Sequence, residues 1–196
     1  MSELNAERLR KYPDPLSVGL RSICAERYGY SGPEGVIAGN GMDEILALAI
    51  RAFVDPGETV LSVDPTYTLY GTLAELHGAK YRTVALDDDF QLPAGFNSEL
   101  AKLCFLPRPN APSGVPAPKE AVEALCSAFD GVVVIDEAYA EFADDDCMDL
   151  PQRFDNVVVS RTYSKAFGLA GMRIGIGVAR PDLIHEFFRS KDSYKL

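Results

Sequence analysis

Apolar, β-branched runs alternate with helical patterns along almost the whole chain, and that alternation leaves few folds open. The runs predict strands at 35–38, 59–63, 80–85, 102–106, 131–136, 156–160 and 173–179. Between them, residues 43–54 place Ile45, Leu46, Ala49, Ile50 and Phe53 at helical spacing, and Asp55-Pro56-Gly57 ends the pattern. Residues 66–77 do the same with Leu69, Tyr70, Leu73 and Leu76, stopping at Gly78. Residues 119–129 carry Ala121, Val122, Leu125 and Phe129, and a helix over 16–28 precedes the first strand. A strand such as Val132-Val133-Val134-Ile135 has no polar face, so its sheet must be covered on both sides. The expected fold is α/β: a mostly parallel seven-stranded sheet with helices on both faces.

Charge narrows the partners. The 196 residues carry a formal net charge of −10, which argues against a nucleic acid or an anionic membrane as partner. A local positive pocket remains compatible with it. No apolar run approaches the roughly 20 residues of a membrane span, and Met1-Ser2-Glu3-Leu4-Asn5 lacks the basic and apolar regions of a signal peptide. Cys24, Cys104, Cys126 and Cys147 form no CxxC pair, and free, mostly buried thiols in a reducing cytoplasm are expected. The acidic runs 87–89 and 144–146 are expected in solvated loops rather than around a metal.

The segments that carry chemistry fall where the predicted strands end. Val157-Val158-Val159 leads into Ser160-Arg161-Thr162-Tyr163-Ser164-Lys165, then Gly168, Gly171 and Arg173. A lysine there can form a Schiff base with an aldehyde, and the hydroxyls and the arginine can hold a phosphate. Together they point to pyridoxal 5'-phosphate (PLP), whose chemistry needs such a lysine and an acidic partner for the pyridinium nitrogen. Close to Arg173 and stripped of water, Lys165 would favour its neutral amine. Val132–Ile135 ends in Asp136, with Tyr139 three residues on. The carboxylate can keep a pyridine nitrogen protonated, and the phenol can hydrogen-bond a ring oxygen.

Gly39-Asn40-Gly41-Met42-Asp43-Glu44 joins a strand to a helix, where free N–H groups and the helix dipole favour an anion. Asp64-Pro65-Thr66-Tyr67 opens the next helix, and Tyr67 is placed to stack on a flat ring. Pro107-Arg108-Pro109-Asn110-Ala111-Pro112-Ser113-Gly114 is a proline-fixed turn whose amide can reach a ring oxygen. Each piece alone has a plainer reading: a surface lysine, a structural ion pair for Arg173, a helix cap or metal ligand for Asp136, a helix cap for Asp43, a core position for Tyr67.

In order and together, these segments resemble the fold-type I aminotransferases, most of all the histidinol-phosphate aminotransferase subfamily, from Tyr12 to about Tyr194. The specific parts are Arg161-Thr162-Tyr163-Ser164-Lys165 with Arg173, Asp136-Glu137-Ala138-Tyr139, Pro109–Gly114, and the early Lys11-Tyr12-Pro13-Asp14-Pro15. The resemblance implies a PLP enzyme with Lys165, Asp136 and Tyr139 as its catalytic residues. Lys165 would carry the cofactor, Asp136 would meet the pyridinium nitrogen, Tyr139 the ring oxygen, and Tyr67 the ring face. Ser164, Arg173, Thr162 and the backbone of Gly41, Met42 and Asp43 would hold the phosphate. Tyr12 would reach the phosphate of a partner subunit, which implies a homodimer. Where the family commonly has Asn-Asn-Pro-Thr-Gly, this chain has Asn110-Ala111-Pro112-Ser113-Gly114, so Asn110 either replaces the usual ring-oxygen amide or that amide is missing. Met42 stands where a smaller residue is usual.

The resemblance further implies an N-terminal segment with a dimer-contacting helix (1–30), a PLP-binding large domain (31–181), and the start of a connecting helix (182–196) towards a small C-terminal domain. That small domain would carry the arginines that bind the substrate's carboxylate or phosphate. The activity it implies is amino transfer from histidinol phosphate to 2-oxoglutarate in histidine biosynthesis, with an amino donor and a 2-oxo acid as the small-molecule partners. A PLP-dependent threonine-phosphate decarboxylase and a catalytically silent PLP-binding domain remain as alternatives.

Overall fold

The computed structural model describes residues 10–192. The expected segments 1–30 and 182–196 therefore fall partly outside the described residues, at 1–9 and 193–196. In chain order the elements are α1 (Val18–Arg27), β1 (Val36–Asn40), α2 (Met42–Phe53), β2 (Thr59–Asp64), α3 (Leu69–His77) and β3 (Lys80–Ala85). Then come β4 (Leu103–Pro107), α4 (Lys119–Ala128), β5 (Val132–Asp136), α5 (Leu150–Arg153), β6 (Val157–Thr162), β7 (Ile174–Ala179) and α6 (Pro181–Ser190).

The strands form one seven-stranded sheet in the order β1-β7-β6-β5-β4-β2-β3. Six strands run in parallel; β7 lies antiparallel between β1 and β6. The pleat sorts the side chains into two cores. Cys104 and Leu106 of β4, Val133 and Ile135 of β5, and Val157 and Val159 of β6 face Cys24 of α1 and Val122 and Leu125 of α4. Leu103 and Phe105, Val134 and Val158 face the other way, onto Ile45, Leu46 and Ala49 of α2, Tyr70 and Ala74 of α3, and Ile184 and Phe187 of α6. Such apolar runs are stable only between two helical layers, which is what alternating sequence segments supply.

All four cysteines are free and buried. The acidic run 144–146 lies in a solvent-facing loop as expected, and two of its carboxylates also reach inward. Asp145 accepts a two-pronged hydrogen bond from buried Arg108, at 2.7 and 2.9 Å, and Asp146 accepts from buried Arg161 at 2.8 Å. Two buried guanidiniums, one in β6 and one just after β4, need anions, and this loop brings them. The helix expected from residue 66 begins at Leu69 instead. Pro65 has no N–H, and the chain turns over 65–68 before the helical ladder starts, which sets Tyr67 ahead of the helix.

Because six strands share one direction, the ends of β2, β4, β5 and β6 lie along one edge of the sheet. Register puts Pro107 beside Asp136 and Asp136 beside Ser160. The antiparallel β7 starts at this same edge, so Arg173 arrives next to the β1–α2 turn, with Asn40 paired to Ile174 and Gly39 to Gly175. Gly175 permits that approach: a Cβ there would overlap the backbone of Gly41 and Met42. Ligands of open α/β sheets bind at such an edge.

Candidate active site

A cleft of about 150 Å³ opens at the carboxyl edge of the sheet, and its walls come from every segment singled out in the sequence except the Tyr12 region. Met42 and Asp43 line it from the start of α2, Tyr67 and Tyr70 from the β2–α3 region, and Ala111 from the proline turn. Asp136 and Tyr139 contribute from β5 and its sequel, and Thr162, Ser164, Lys165 and Arg173 from β6 and the β6–β7 loop.

Strand pleat decides what Asp136 and Glu137 do. They are consecutive, so their carboxylates leave opposite faces of the sheet. Asp136 turns to the α3 side, where Tyr70 Oη donates to its Oδ2 at 2.6 Å and the Ala138 N–H donates to its Oδ1 at 3.0 Å. Glu137 turns to the α4 side and accepts from Arg161 Nη2 at 2.7 Å and Nε at 3.0 Å. Arg161 and Thr162 divide in the same way, the arginine to the structural side and the threonine to the cleft.

Asp136 is 4% exposed, and no cation pairs with it among the described residues. Burial pushes its carboxyl up from the usual carboxylate range to about 6, against the lowering effect of the Tyr70 and Ala138 hydrogen bonds. The folded chain thus holds this proton more tightly than an unfolded chain would. The resulting stability is fully present below about pH 4 and is lost as pH rises through about 6. The two ends of that window correspond to about 3 kcal/mol. Denaturant unfolding of the cofactor-free protein is expected to show this loss between pH 4 and 7, and Asp136→Asn is expected to remove that part of the pH dependence. A wild-type profile unaltered by the substitution would rule out a raised Asp136.

The anion end of the cleft is built from backbone. Helix α2 begins at Met42 with Gly41 as its N-cap, at φ 81°, and no side chain caps it. Arg173 lies against Gly41: a Cβ at that glycine would run into its guanidinium, and Arg173 Nη2 is 3.5 Å from Asp43 Oδ2. Arg173 itself takes a left-handed conformation, φ 49°, and its carbonyl accepts the Gly41 N–H at 2.6 Å. Left-handed backbone at a non-glycine residue is costly and clusters at functional sites. Thr162 Oγ1 accepts the Ser164 N–H at 3.2 Å, which orders the turn into Lys165. An uncapped helix N-terminus beside an arginine and two hydroxyls is a receptor for a phosphate-like anion.

Two expectations need correction. Lys165 is exposed, with its Nζ 5.5 Å from the Tyr139 ring centroid, rather than stripped of water. It sits in a surface segment where Phe167, Leu169 and Met172 are also exposed. Asn110 is buried, but its amide donates to the Pro65 carbonyl and to Ser113 Oγ, each at 3.1 Å. That amide braces the turn, and the cleft wall carries Ala111 in its place. Tyr12, expected to serve a partner subunit rather than its own chain, is 78% exposed and does not line this chain's cleft.

Sequence reasoning missed Tyr70, which it placed only on the apolar face of a helix. Nothing in the spacing distinguished a core tyrosine from one whose hydroxyl meets a buried carboxylate. It likewise did not see Arg161 as the hub of an ion network with Glu137, Glu141 and Asp146.

The family model for aminotransferase class I and II matches residues 2–194. A histidinol-phosphate aminotransferase of Synechocystis is 49% identical over 189 residues, covering 96% of this chain and 54% of that protein. One of Rhodopirellula baltica is 46% identical over 188 residues, covering 95% and 52%. Among solved structures, the histidinol-phosphate aminotransferase of Sinorhizobium meliloti in complex with pyridoxal-5'-phosphate superposes with a TM-score of 0.87 at 30% identity, covering 97% of this chain and 54% of that one. An aspartate aminotransferase of Thermotoga maritima superposes at 0.80 with 25% identity. The chain spans about half the length of the curated relatives it matches. With a match from end to end and a cleft assembled at the carboxyl edge of this sheet, the chain belongs to the aminotransferase class I and II family.

Proposed function

We propose that the protein is a PLP-dependent aminotransferase that takes the amino group of histidinol phosphate and passes it to 2-oxoglutarate. One observation carries the cofactor assignment: a buried carboxylate without a cation, an uncapped helix N-terminus beside an arginine, and a lysine all open into one cleft. Asp136 fits a protonated ring nitrogen, because a cation is what its buried charge lacks. Gly41, Met42, Asp43, Ser164, Thr162 and Arg173 fit a phosphate, and Tyr67 and Tyr139 fit a ring face and a ring oxygen. The substrate assignment follows the relatives named histidinol-phosphate aminotransferase.

When bound, PLP would supply an electron sink for the carbanion left when a substrate Cα–H bond breaks. The chain supplies the rest. Lys165 Nζ would hold the cofactor covalently and, once free, would move the proton from the substrate carbon. Asp136 would keep the ring nitrogen protonated. Tyr67 fixes the ring plane, and burial, with Asp43 and Asp136 nearby, raises its phenol so that it stays neutral. Tyr12, exposed on its own chain, would serve the phosphate site of a second copy in a homodimer.

The test is a half-reaction. Protein loaded with PLP and given histidinol phosphate is expected to yield pyridoxamine phosphate, and added 2-oxoglutarate is expected to regenerate PLP and release glutamate. Carbon dioxide released from threonine phosphate, with no pyridoxamine phosphate from any amino donor, would refute the transaminase reading.

A further inference from the structure

We propose that Tyr70 is a positioning residue for the cofactor: its hydroxyl fixes the orientation of the Asp136 carboxylate and holds it ready, as an anion, for the ring nitrogen. The proposal rests on the reading of the cleft as a PLP site and assigns a task to a residue that the family motifs leave aside.

Each oxygen of Asp136 has one donor, and the two donors come from different elements. Tyr70 Oη reaches Oδ2 from α3, and the Ala138 N–H reaches Oδ1 from the turn after β5. The carboxylate cannot rotate without losing one of them. Tyr70 is itself held. It is wholly buried, its ring stacks on Phe105 with centroids 4.6 Å apart and planes 11° from parallel, and Phe105 is buried in the neighbouring strand β4. Tyr67 meets Tyr70 edge-on, with ring centroids 5.6 Å apart and planes at 88°. One phenol therefore links the residue aimed at the ring face to the residue aimed at the ring nitrogen.

The chemistry agrees with the geometry. Burial drives a proton onto Asp136, and Tyr70 is the first of the groups that oppose it. Burial, then the Asp136 charge, raises the Tyr70 phenol well above its ordinary value, so it donates at any working pH. Tyr70→Phe keeps the stacking and deletes the donor, which isolates the effect.

The experiment follows the Asp136 carboxyl by carbon NMR in cofactor-free protein and measures the affinity for PLP and for an analogue whose ring nitrogen is replaced by C–H. Tyr70→Phe is expected to move the Asp136 midpoint upward by about one pH unit or more and to weaken PLP about tenfold, as loss of a hydrogen bond to a charged group should. Binding of the nitrogen-free analogue is expected to stay unchanged. An unmoved midpoint, or equal weakening of both cofactors, would overturn the proposal. If the variant does not fold, the wild-type Tyr70 hydroxyl proton decides: its resonance is expected to shift as Asp136 titrates, and one blind to that titration overturns the assignment. Wild-type protein that shows this coupling yet takes up no PLP would refute the functional reading, and the cofactor role with it, while leaving the hydrogen bond standing. PLP uptake with no effect of Tyr70→Phe would overturn the Tyr70 role alone.

Discussion

Replacing Lys165 with alanine is expected to leave the fold intact and to slow amino transfer by on the order of 10⁴-fold, the upper range for a group that moves a proton in the transition state. The two halves of this expectation have separate origins. Lys165 is exposed, and its ammonium lies 5.5 Å from the Tyr139 ring, a contact worth about 0.5–1 kcal/mol at an exposed site. Its removal costs the folded state little. On the proposed reading the reaction would lose both the covalent anchor for PLP and the base that relays the substrate proton, and no other lysine among the described residues lines the cleft. Single-turnover rates with histidinol phosphate, alongside denaturant unfolding of both proteins, check the two halves. A loss of less than tenfold would show that the proton moves by another route.

Arg161→Met is expected to destabilise the protein by about 3–5 kcal/mol, the cost of removing one partner from a buried ion pair. Arg161 donates to Glu137, to Glu141 at 3.0 Å and to Asp146 at 2.8 Å, and its guanidinium lies 5.3 Å from the Tyr28 ring centroid. Burial works against its charge, and Glu137 beside it more than offsets that. Glu137 is fully buried, and burial raises its carboxyl even with Arg161 present. In the variant the Glu137 charge has no cation left, so its folded-state pKa rises further above the unfolded one. The penalty is then present above that pKa and fades as pH falls through it. Denaturant unfolding should show the deficit of Arg161→Met shrinking on acidification, and Glu137→Gln in the same chain should recover much of it. A deficit independent of pH would mean lost packing rather than a stranded charge.

What the sequence disclosed and what it hid follow from the range of the interactions. Strand runs and helix faces are local patterns, and all seven strands were legible because apolar, β-branched runs and period-3.6 signals do not need distant partners. The cleft residues were legible for a related reason. In a parallel sheet, the residue that ends an apolar run lies at the ligand edge, so Asp136, Thr162 and the Gly41-Met42 turn identify themselves. The direction of β7 was not stated by its own residues; it follows from a connection that returns Ile174 beside Thr162. Side-chain aim was the least legible. Asn110 occupies a motif position yet donates into its own turn, and Tyr70 shows only helical spacing yet reaches Asp136. Both outcomes depend on which residues a distant segment brings near, Pro65 in one case and the end of β5 in the other. The second task of the solvent-facing run 144–146, pairing with buried guanidiniums, was hidden because Arg108 and Arg161 lie 37 and 15 residues away.

Covalent trapping tests the central assignment most directly. Protein mixed with PLP, reduced with borohydride, digested and read by mass spectrometry is predicted to carry a phosphopyridoxyl group on the peptide containing Ser164, Lys165 and Ala166, at Lys165 Nζ, and to lose it in Lys165→Ala. A protein that gains no such group, or gains it equally at other lysines, would contradict the assignment of this cleft as a PLP site.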